Sequence, residues 1–374
     1  MLSCYDLGHV FEENGLTFFA GVPDSTFKNW MKFLADGHGL TNVIASNECE
    51  ATAIVSGYHL ATEKLGVVYM QNSGLGKIVN PHTSLLSKEV YSIPAIYMIG
   101  WRGEPGKTDE PQHKMIGRIM IPLLDTLEIP YQVLPDKIEG ASEVIRKAKE
   151  QAEKNKSPSV IIIKKGTLKE YISKNVIKTN YEMSRDDAIK TIVDRLDEKE
   201  IIVSTTGKTS RELFEYREKL GQRHGKDFLT VGSMGCASSI ALGIALQKPN
   251  KPIYIFDGDG AAIMQMGTFA TIGSKKPKNL QHILFDNQTY DSTGGQPTVS
   301  STVNFAQIAL ACGYNFSQTA KTKKELIYSM EEMKKNTGPN LLIVKVNKGA
   351  RKDLGRPTTT PIENKEEFIK ELYR

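Results

Sequence analysis

Short apolar runs alternate with helix-like stretches along the whole chain, and the alternation is interrupted only once. Strands are expected at residues 17–20, 42–45, 66–70, 95–99 and 160–164, with helices between them that include 5–14, 27–34, 50–63 and 140–153. The polar stretch 166–183 breaks the pattern. Ser184, with Asp187 three residues later, then reads as a capping box that opens a new helix. Strands resume at 201–205, 228–231, 253–256, 282–285 and 341–345. Strands separated by helices build a parallel sheet with both faces covered. The expected fold is therefore α/β, with one such sheet in each of two domains, 1–175 and 184–374. A chain of 374 residues is long enough to bury both cores.

Composition narrows the function. The chain is 40% apolar and 24% charged, as an ordinary globular protein is. Its first residues, MLSCYDLGHVFEENG, lack a basic segment followed by an apolar one, so no secretory signal is expected. No apolar run approaches the roughly 20 residues of a membrane span. Cys4, Cys49, Cys236 and Cys312 are scattered, which argues against structural zinc and fits a reducing, cytoplasmic setting. The net charge of +5 resides in short lysine clusters rather than a basic stripe, so no nucleic-acid partner is expected. A local basic pocket for an acidic metabolite stays open.

The most informative stretch is an apolar strand that runs into Gly258-Asp259-Gly260-Ala261 and then into a helix containing Met264 and Ile272. A second apolar strand ends in Asp286-Asn287-Gln288-Thr289-Tyr290. Both polar ends fall at the carboxyl edge of parallel strands, where open α/β sheets bind ligands. Mg²⁺ takes near-octahedral oxygen ligands, commonly one or two from protein and the rest from phosphate and water. Asp259 supplies a carboxylate, Asn287 a carbonyl, and the main chain of Thr289 a third oxygen. Gly258 and Gly260 let the backbone approach a diphosphate, with the helix that follows offering N–H groups. A Gly-Asp-Gly by itself is also a common turn; the strand contexts and the gap to Asn287 favour the metal reading.

On these residues the sequence resembles the thiamine-diphosphate enzymes, whose signature is Gly-Asp-Gly, a gap of this size, and an asparagine pair. Asp286 departs from that pair; Asn287 matches its metal-holding member. The resemblance implies thiamine diphosphate and Mg²⁺ as cofactors, with Asp259, Asn287 and Thr289 on the metal. It also implies a first-domain carboxylate against the aminopyrimidine ring. In Asn47-Glu48-Cys49-Glu50 that residue is Glu48, with Glu50 as the second candidate; favouring a helix start is the plain alternative for either. Met234, in the turn Gly232-Ser233-Met234, would lie under the bent cofactor or simply fill the core. Thr206, Gly232, Ser233, Gly258, Gly260, Ala261 and Tyr290 complete the cofactor set.

With no middle domain, the chain is most similar to the compact phosphonopyruvate and sulfopyruvate decarboxylases. Gly21-Val22-Pro23-Asp24-Ser25, Gln71-Asn72-Ser73-Gly74-Leu75-Gly76, Gly100-Trp101-Arg102-Gly103 and Asp109-Glu110-Pro111-Gln112-His113 carry that likeness in the first domain. Thr205-Thr206-Gly207-Lys208-Thr209-Ser210-Arg211 and Asp353-Leu354-Gly355-Arg356-Pro357 carry it in the second. Lys77 stands where a small or amide residue is expected. The implied reaction is decarboxylation of a small anionic 2-oxo acid, 3-phosphonopyruvate, in phosphonate biosynthesis. Sulfopyruvate decarboxylation and a non-catalytic protein retaining the fold are the alternatives. Asp24 and His113 match acid/base positions, against the readings of a helix cap and a loop histidine. Ser25, Arg102, Lys208, Arg211, Arg351 and Arg356 are candidates for the phosphonate, and residues 349–361 for a lid. The family also implies at least a homodimer with active sites at the subunit interface.

Overall fold

A computed structural model describes residues 1–175, 178–197 and 199–374, so Val176 and Ile177 of the expected domain junction lie outside the described residues. The chain divides into two compact units, Met1–Val176 and Ile177–Arg374.

The first unit runs α1 (Cys4–Glu13), β1 (Phe18–Gly21), α2 (Lys28–Ala35), β2 (Thr41–Ile44), α3 (Glu48–Thr62), β3 (Val67–Gln71), α4 (Leu75–Pro81), β4 (Ile96–Gly100), α5 (Pro111–Thr126), β5 (Tyr131–Val133), α6 (Ile138–Asn155) and β6 (Ser159–Ile163). Its strands form one parallel sheet in the order β2-β1-β3-β4-β6-β5.

The second unit runs α7 (Arg185–Val193), β7 (Ile201–Ser204), α8 (Lys208–Lys219), β8 (Asp227–Leu229), α9 (Ala237–Gln247), β9 (Ile253–Gly258), α10 (Asp259–Met264), α11 (Gly267–Lys275), β10 (Leu280–Asp286), β11 (Thr289–Tyr290), β12 (Gln296–Pro297), α12 (Phe305–Cys312), β13 (Phe316–Ala320), α13 (Lys323–Lys335), β14 (Asn340–Lys345) and α14 (Pro361–Leu372). Its parallel sheet has the order β13-β14-β10-β9-β7-β8, beside the antiparallel ribbon β11–β12. Renumbering the six sheet strands of each unit along the chain gives the same order, 2-1-3-4-6-5, in both.

Side-chain alternation along each central strand explains the layering. In β3, Val67 and Tyr69 pack with Leu7, Phe11 and Trp30 on one face. Val68 and Met70 pack with Ala51, Val55, Met120 and Leu124 on the other. In the second unit Tyr254 and Phe256 face one core while Ile253 and Ile255 face another. A strand apolar on both faces must be covered by helices on both, which is the expected α/β fold. The Ser184–Asp187 capping box opens α7 as expected.

Three expectations need correction. Each sheet has a fifth connection and a sixth strand, β5 and β13, whose sequences are too polar to read as buried strands. The strand expected at 228–231 stops at Leu229, because Gly232 and Ser233 take positive φ of 73° and 45° and turn the chain away. The single helix expected after Gly260 is two, α10 and α11, separated at Gln265 and Met266. With six residues, α10 is too short to offer much dipole to an anion.

Candidate active site

In the second unit the carboxyl ends of β9 and β10 are adjacent, with Leu284 opposite Asp257 and Phe285 opposite Gly258. Asp259 and Asn287 therefore leave the sheet side by side. Thr298 ties the two ends together: its Oγ1 donates to Asp259 Oδ2 at 2.5 Å, and its N–H donates to the Gln288 carbonyl at 2.9 Å. Asp259 is 2% exposed. Burial, with the nearby Asp286 carboxyl adding to it and bonds from Thr298 and Ser300 opposing, pushes its pKa up to about 7. A buried carboxyl that resists ionisation in this way is suited to a cation, whose charge would restore the carboxylate form.

Asp286, the departure from the asparagine pair, is fully buried. It accepts from Ser300 Oγ at 2.8 Å and from Gln288 N at 3.2 Å, and pairs with Lys345. Its role is to pin the loop. Asn287 accepts from Thr289 N at 3.0 Å and donates from Nδ2 to Asp291 at 2.7 Å. Among the described residues no group of three or more His, Cys, Asp or Glu could hold a metal. A carboxylate, an amide and a main-chain carbonyl would make a sparse, all-oxygen set of the kind Mg²⁺ commonly takes beside phosphate and water.

Of the other second-unit candidates, some contact one another and others bond elsewhere in the unit. Gly232 N donates to Thr206 Oγ1 at 2.9 Å, fixing the turn that carries exposed Ser233 and half-buried Met234. A Cβ on Gly260 would lie 2.6 Å from Tyr290 Cε1 and 3.2 Å from Met234 Cε, so Gly260, Tyr290 and Met234 are in contact, with buried Ala261 next in α10. Lys208 is the half-buried first residue of α8. Arg211 donates to the carbonyls of Leu354 and Gly355, and Arg351 pairs with Glu215, Asp186 and Asp353. These two arginines fasten the segment after β14 onto α7 and α8. Arg356 is exposed.

In the first unit, Asn47 caps α3 by accepting from Glu50 N at 3.1 Å, which makes Glu48 the first helical residue. Glu48 is 6% exposed, and its Oε2 has no hydrogen-bond partner. Lys77 Nζ lies 3.5 Å from that oxygen, close enough for an ion pair but without hydrogen-bond alignment. A buried carboxylate oxygen still able to accept is what an aminopyrimidine nitrogen needs. Glu50 is different: it is exposed and bonded to Ser46 N at 2.6 Å and to Ser46 Oγ.

Gly74 shows how tightly Glu48 is held. Its φ of −69° suits any residue, yet an added Cβ would sit 2.6 Å from Glu48 Oε1 and Cγ. Gly74→Ala is therefore expected to displace the carboxylate without straining the backbone. Turnover should fall about 100-fold, as an ångström of misplacement does. Gly76→Ala, with nothing within 4 Å of the added carbon, should behave as wild type. Steady-state kinetics of the two variants beside their melting temperatures checks this.

Asp24 is fully buried after β1. Gln71 Nε2 donates to its Oδ1 at 2.7 Å and Thr26 N to its Oδ2 at 3.2 Å. Burial raises its pKa, against the effect of these bonds and of the Arg102 charge. It does cap the short turn Ser25–Phe27, but capping does not need a carboxyl this deep. His113 lies on the first turn of α5, not on a loop. Trp101 Nε1 donates to the Gly117 carbonyl at 3.0 Å, holding the segment after β4 against that helix. Burial, then the Arg102 charge, lowers the His113 pKa to about 4 against a contrary pull from Asp109, and its Nδ1 has no partner. The neutral ring is therefore the favoured form near pH 7.

Arg102 is committed to Asp109 through bonds of 2.8 and 2.5 Å, and to Ser25 Oγ at 2.8 Å. Its charge is largely compensated, which weakens its claim on a substrate anion and makes it an organiser of Ser25. The candidate set omits Gln71, Asp109 and Thr298, which hold Asp24, Arg102 and Asp259. The motifs containing Gln71 and Asp109 were their only sequence signal.

Comparison with known proteins identifies the two domains. Residues 6–120 match the family described as thiamine pyrophosphate enzyme, N-terminal TPP binding domain, and residues 205–344 match its C-terminal TPP binding domain. The chain is 32% identical to a phosphonopyruvate decarboxylase of Streptomyces viridochromogenes, over 97% of this chain and 93% of that one. It is also 32% identical to a phosphonopyruvate decarboxylase of Streptomyces hygroscopicus, over 97% and 92%. A sulfopyruvate decarboxylase of Methanosarcina acetivorans is 27% identical, over 87% and 86%. Two parallel sheets of one topology, each matching one of the paired cofactor-binding domains and joined without a middle domain, show that the chain belongs to the thiamine pyrophosphate enzymes.

Proposed function

We propose that this chain decarboxylates 3-phosphonopyruvate to phosphonoacetaldehyde and CO₂, using thiamine diphosphate and Mg²⁺. The observation that carries the substrate is the likeness to phosphonopyruvate decarboxylases along 97% of the chain. Asp259, Asn287 and the Thr289 carbonyl would hold Mg²⁺, and the Gly258–Ala261 backbone with Thr206, Gly232 and Ser233 would receive the diphosphate. Met234 and Tyr290 would support the cofactor rings. Glu48 would hold a proton on the aminopyrimidine. When bound, the cofactor supplies the electron sink that the departing CO₂ requires.

The remaining steps are proton movements by the chain's own groups. Asp24, whose pKa burial raises, would serve as the proton donor. His113 would be the second acid/base group, with its neutral form favoured by burial. For the phosphonate, Ser25 and Lys208 are the strongest candidates, because Arg102 and Arg211 are already bonded within the protein.

Assembly as at least a homodimer follows from the family resemblance, and light scattering would test it. No helix among the described residues is long and apolar enough to cross a membrane. A cytoplasmic location is proposed from the scattered spacing of the four cysteines in the sequence.

The test is CO₂ release by purified protein with phosphonopyruvate, sulfopyruvate and pyruvate side by side, with and without thiamine diphosphate and Mg²⁺. Cofactor-dependent preference for phosphonopyruvate is the expected result. Preference for sulfopyruvate would transfer the assignment to that substrate. Silence from all three with cofactor bound would favour the non-catalytic reading.

A further inference from the structure

We infer that Asp291 is a positioning residue for the metal site, setting the orientation of Asn287 and Thr289 together. The inference rests on the proposed assignment of those two residues as Mg²⁺ ligands. The Asp291 side chain is 8% exposed, and every bond it makes bears on that loop or anchors it. Its Oδ2 accepts from Asn287 Nδ2 at 2.7 Å, and its Oδ1 from Thr289 Oγ1 at 3.2 Å. A carboxylate only accepts, so it can face only the NH₂ side of the Asn287 amide. The carbonyl side is thereby turned the other way. There Oδ1 takes the Thr289 N–H at 3.0 Å and keeps a lone pair for a cation. One carboxylate thus orients the amide of one ligand and tethers the residue that supplies the other.

Asp291 is itself fixed from behind. Arg185 NH1 donates to Oδ2 at 3.3 Å, while the rest of that guanidinium grips Glu212 at 2.7 and 3.0 Å. Gly349 N donates to both Asp291 oxygens, at 3.2 and 3.1 Å, and the Gly349 carbonyl accepts from Arg185 at 3.4 Å. Arg185 opens α7 and Gly349 follows β14, so the metal loop is braced by two distant parts of its own domain. Residues that orient metal ligands in this manner commonly contribute about 10- to 100-fold to metal affinity.

The experiment is a titration of metal-stripped protein with Mn²⁺ in the presence of thiamine diphosphate, following free Mn²⁺ by electron paramagnetic resonance. Asp291→Asn keeps the shape but sets an NH₂ against the donors. It should bind Mn²⁺ about 10- to 100-fold more weakly than wild type. Its kcat at saturating Mg²⁺ should approach the wild-type value, because the defect lies in metal affinity. A folded Asp291→Asn protein with unchanged Mn²⁺ affinity would overturn the inference, as would a loss of kcat that excess Mg²⁺ does not relieve. If this variant fails to fold, Thr289→Val decides: it removes one tether, and an unchanged affinity overturns the inference equally. Wild-type protein that takes up no Mn²⁺ would refute the metal-site assignment itself, a different failure from a variant that matches wild type.

Discussion

Asp259→Ala is expected to purify without thiamine diphosphate, to take up none with Mg²⁺ added, and to lose activity by more than about 1,000-fold. Asp259 is the one carboxylate in the proposed metal set, at the mouth of β9, and burial with the nearby Asp286 carboxyl raises its pKa. Without it, the proposed metal set would keep only two neutral protein oxygens. Replacement by alanine also frees the Thr298 hydroxyl, which now donates to Asp259, so the loop carrying Asn287 loses a tether as well. Asp259→Asn retains a carbonyl ligand and should fall between alanine and wild type. Cofactor content after gel filtration, read beside CO₂ release, separates these cases. Full activity in the alanine variant would remove the metal assignment.

Glu48→Gln is the second large effect and has a different signature. The cofactor should bind, because the metal site is untouched, while kcat falls by about 100- to 10,000-fold, the usual loss for a proton-handling group. The buried Glu48 Oε2 has an ion-pair contact with Lys77 at 3.5 Å but accepts no hydrogen bond, so it keeps capacity for one. An amide of the same shape cannot hold the proton in the same way. Glu50→Gln is the control. Glu50 is exposed and spends its carboxylate on Ser46, so a small stability loss of about 0.5–1 kcal/mol and near-normal turnover are expected. If the two variants exchange behaviour, the role passes to Glu50.

Much of this protein is local in origin. β9 is legible because its apolar run needs burial on both faces, and β10 for the same reason. The α7 start is legible because a capping box is a bond between neighbours. The Gly-Asp-Gly turn and Asn287 are legible because each ends such a strand. Edge strands were harder: Phe316–Ala320 contains Ser, Gln and Thr and is half-exposed, so nothing in its composition demands a sheet. The sequence also leaves His113 open between a loop and a catalytic position, since only the packing of the Trp101 segment on α5 gives it a buried, neutral ring.

Which charges are available was decided by tertiary structure alone. Arg102, Arg211 and Lys208 read alike as bases near a site, yet Asp109 claims the first and the Leu354 and Gly355 carbonyls claim the second. Asp291 and Thr298 carry no motif, because they act through hydrogen bonds to groups that folding brings beside them. The sequence by itself determined the two parallel sheets and the residues at their carboxyl ends, because periodicity and turn chemistry act over a few residues. The orientation of those residues, and whether each carboxyl is ionised, paired or waiting for a partner, depends on burial and on bonds between distant segments, and only the folded chain supplies these.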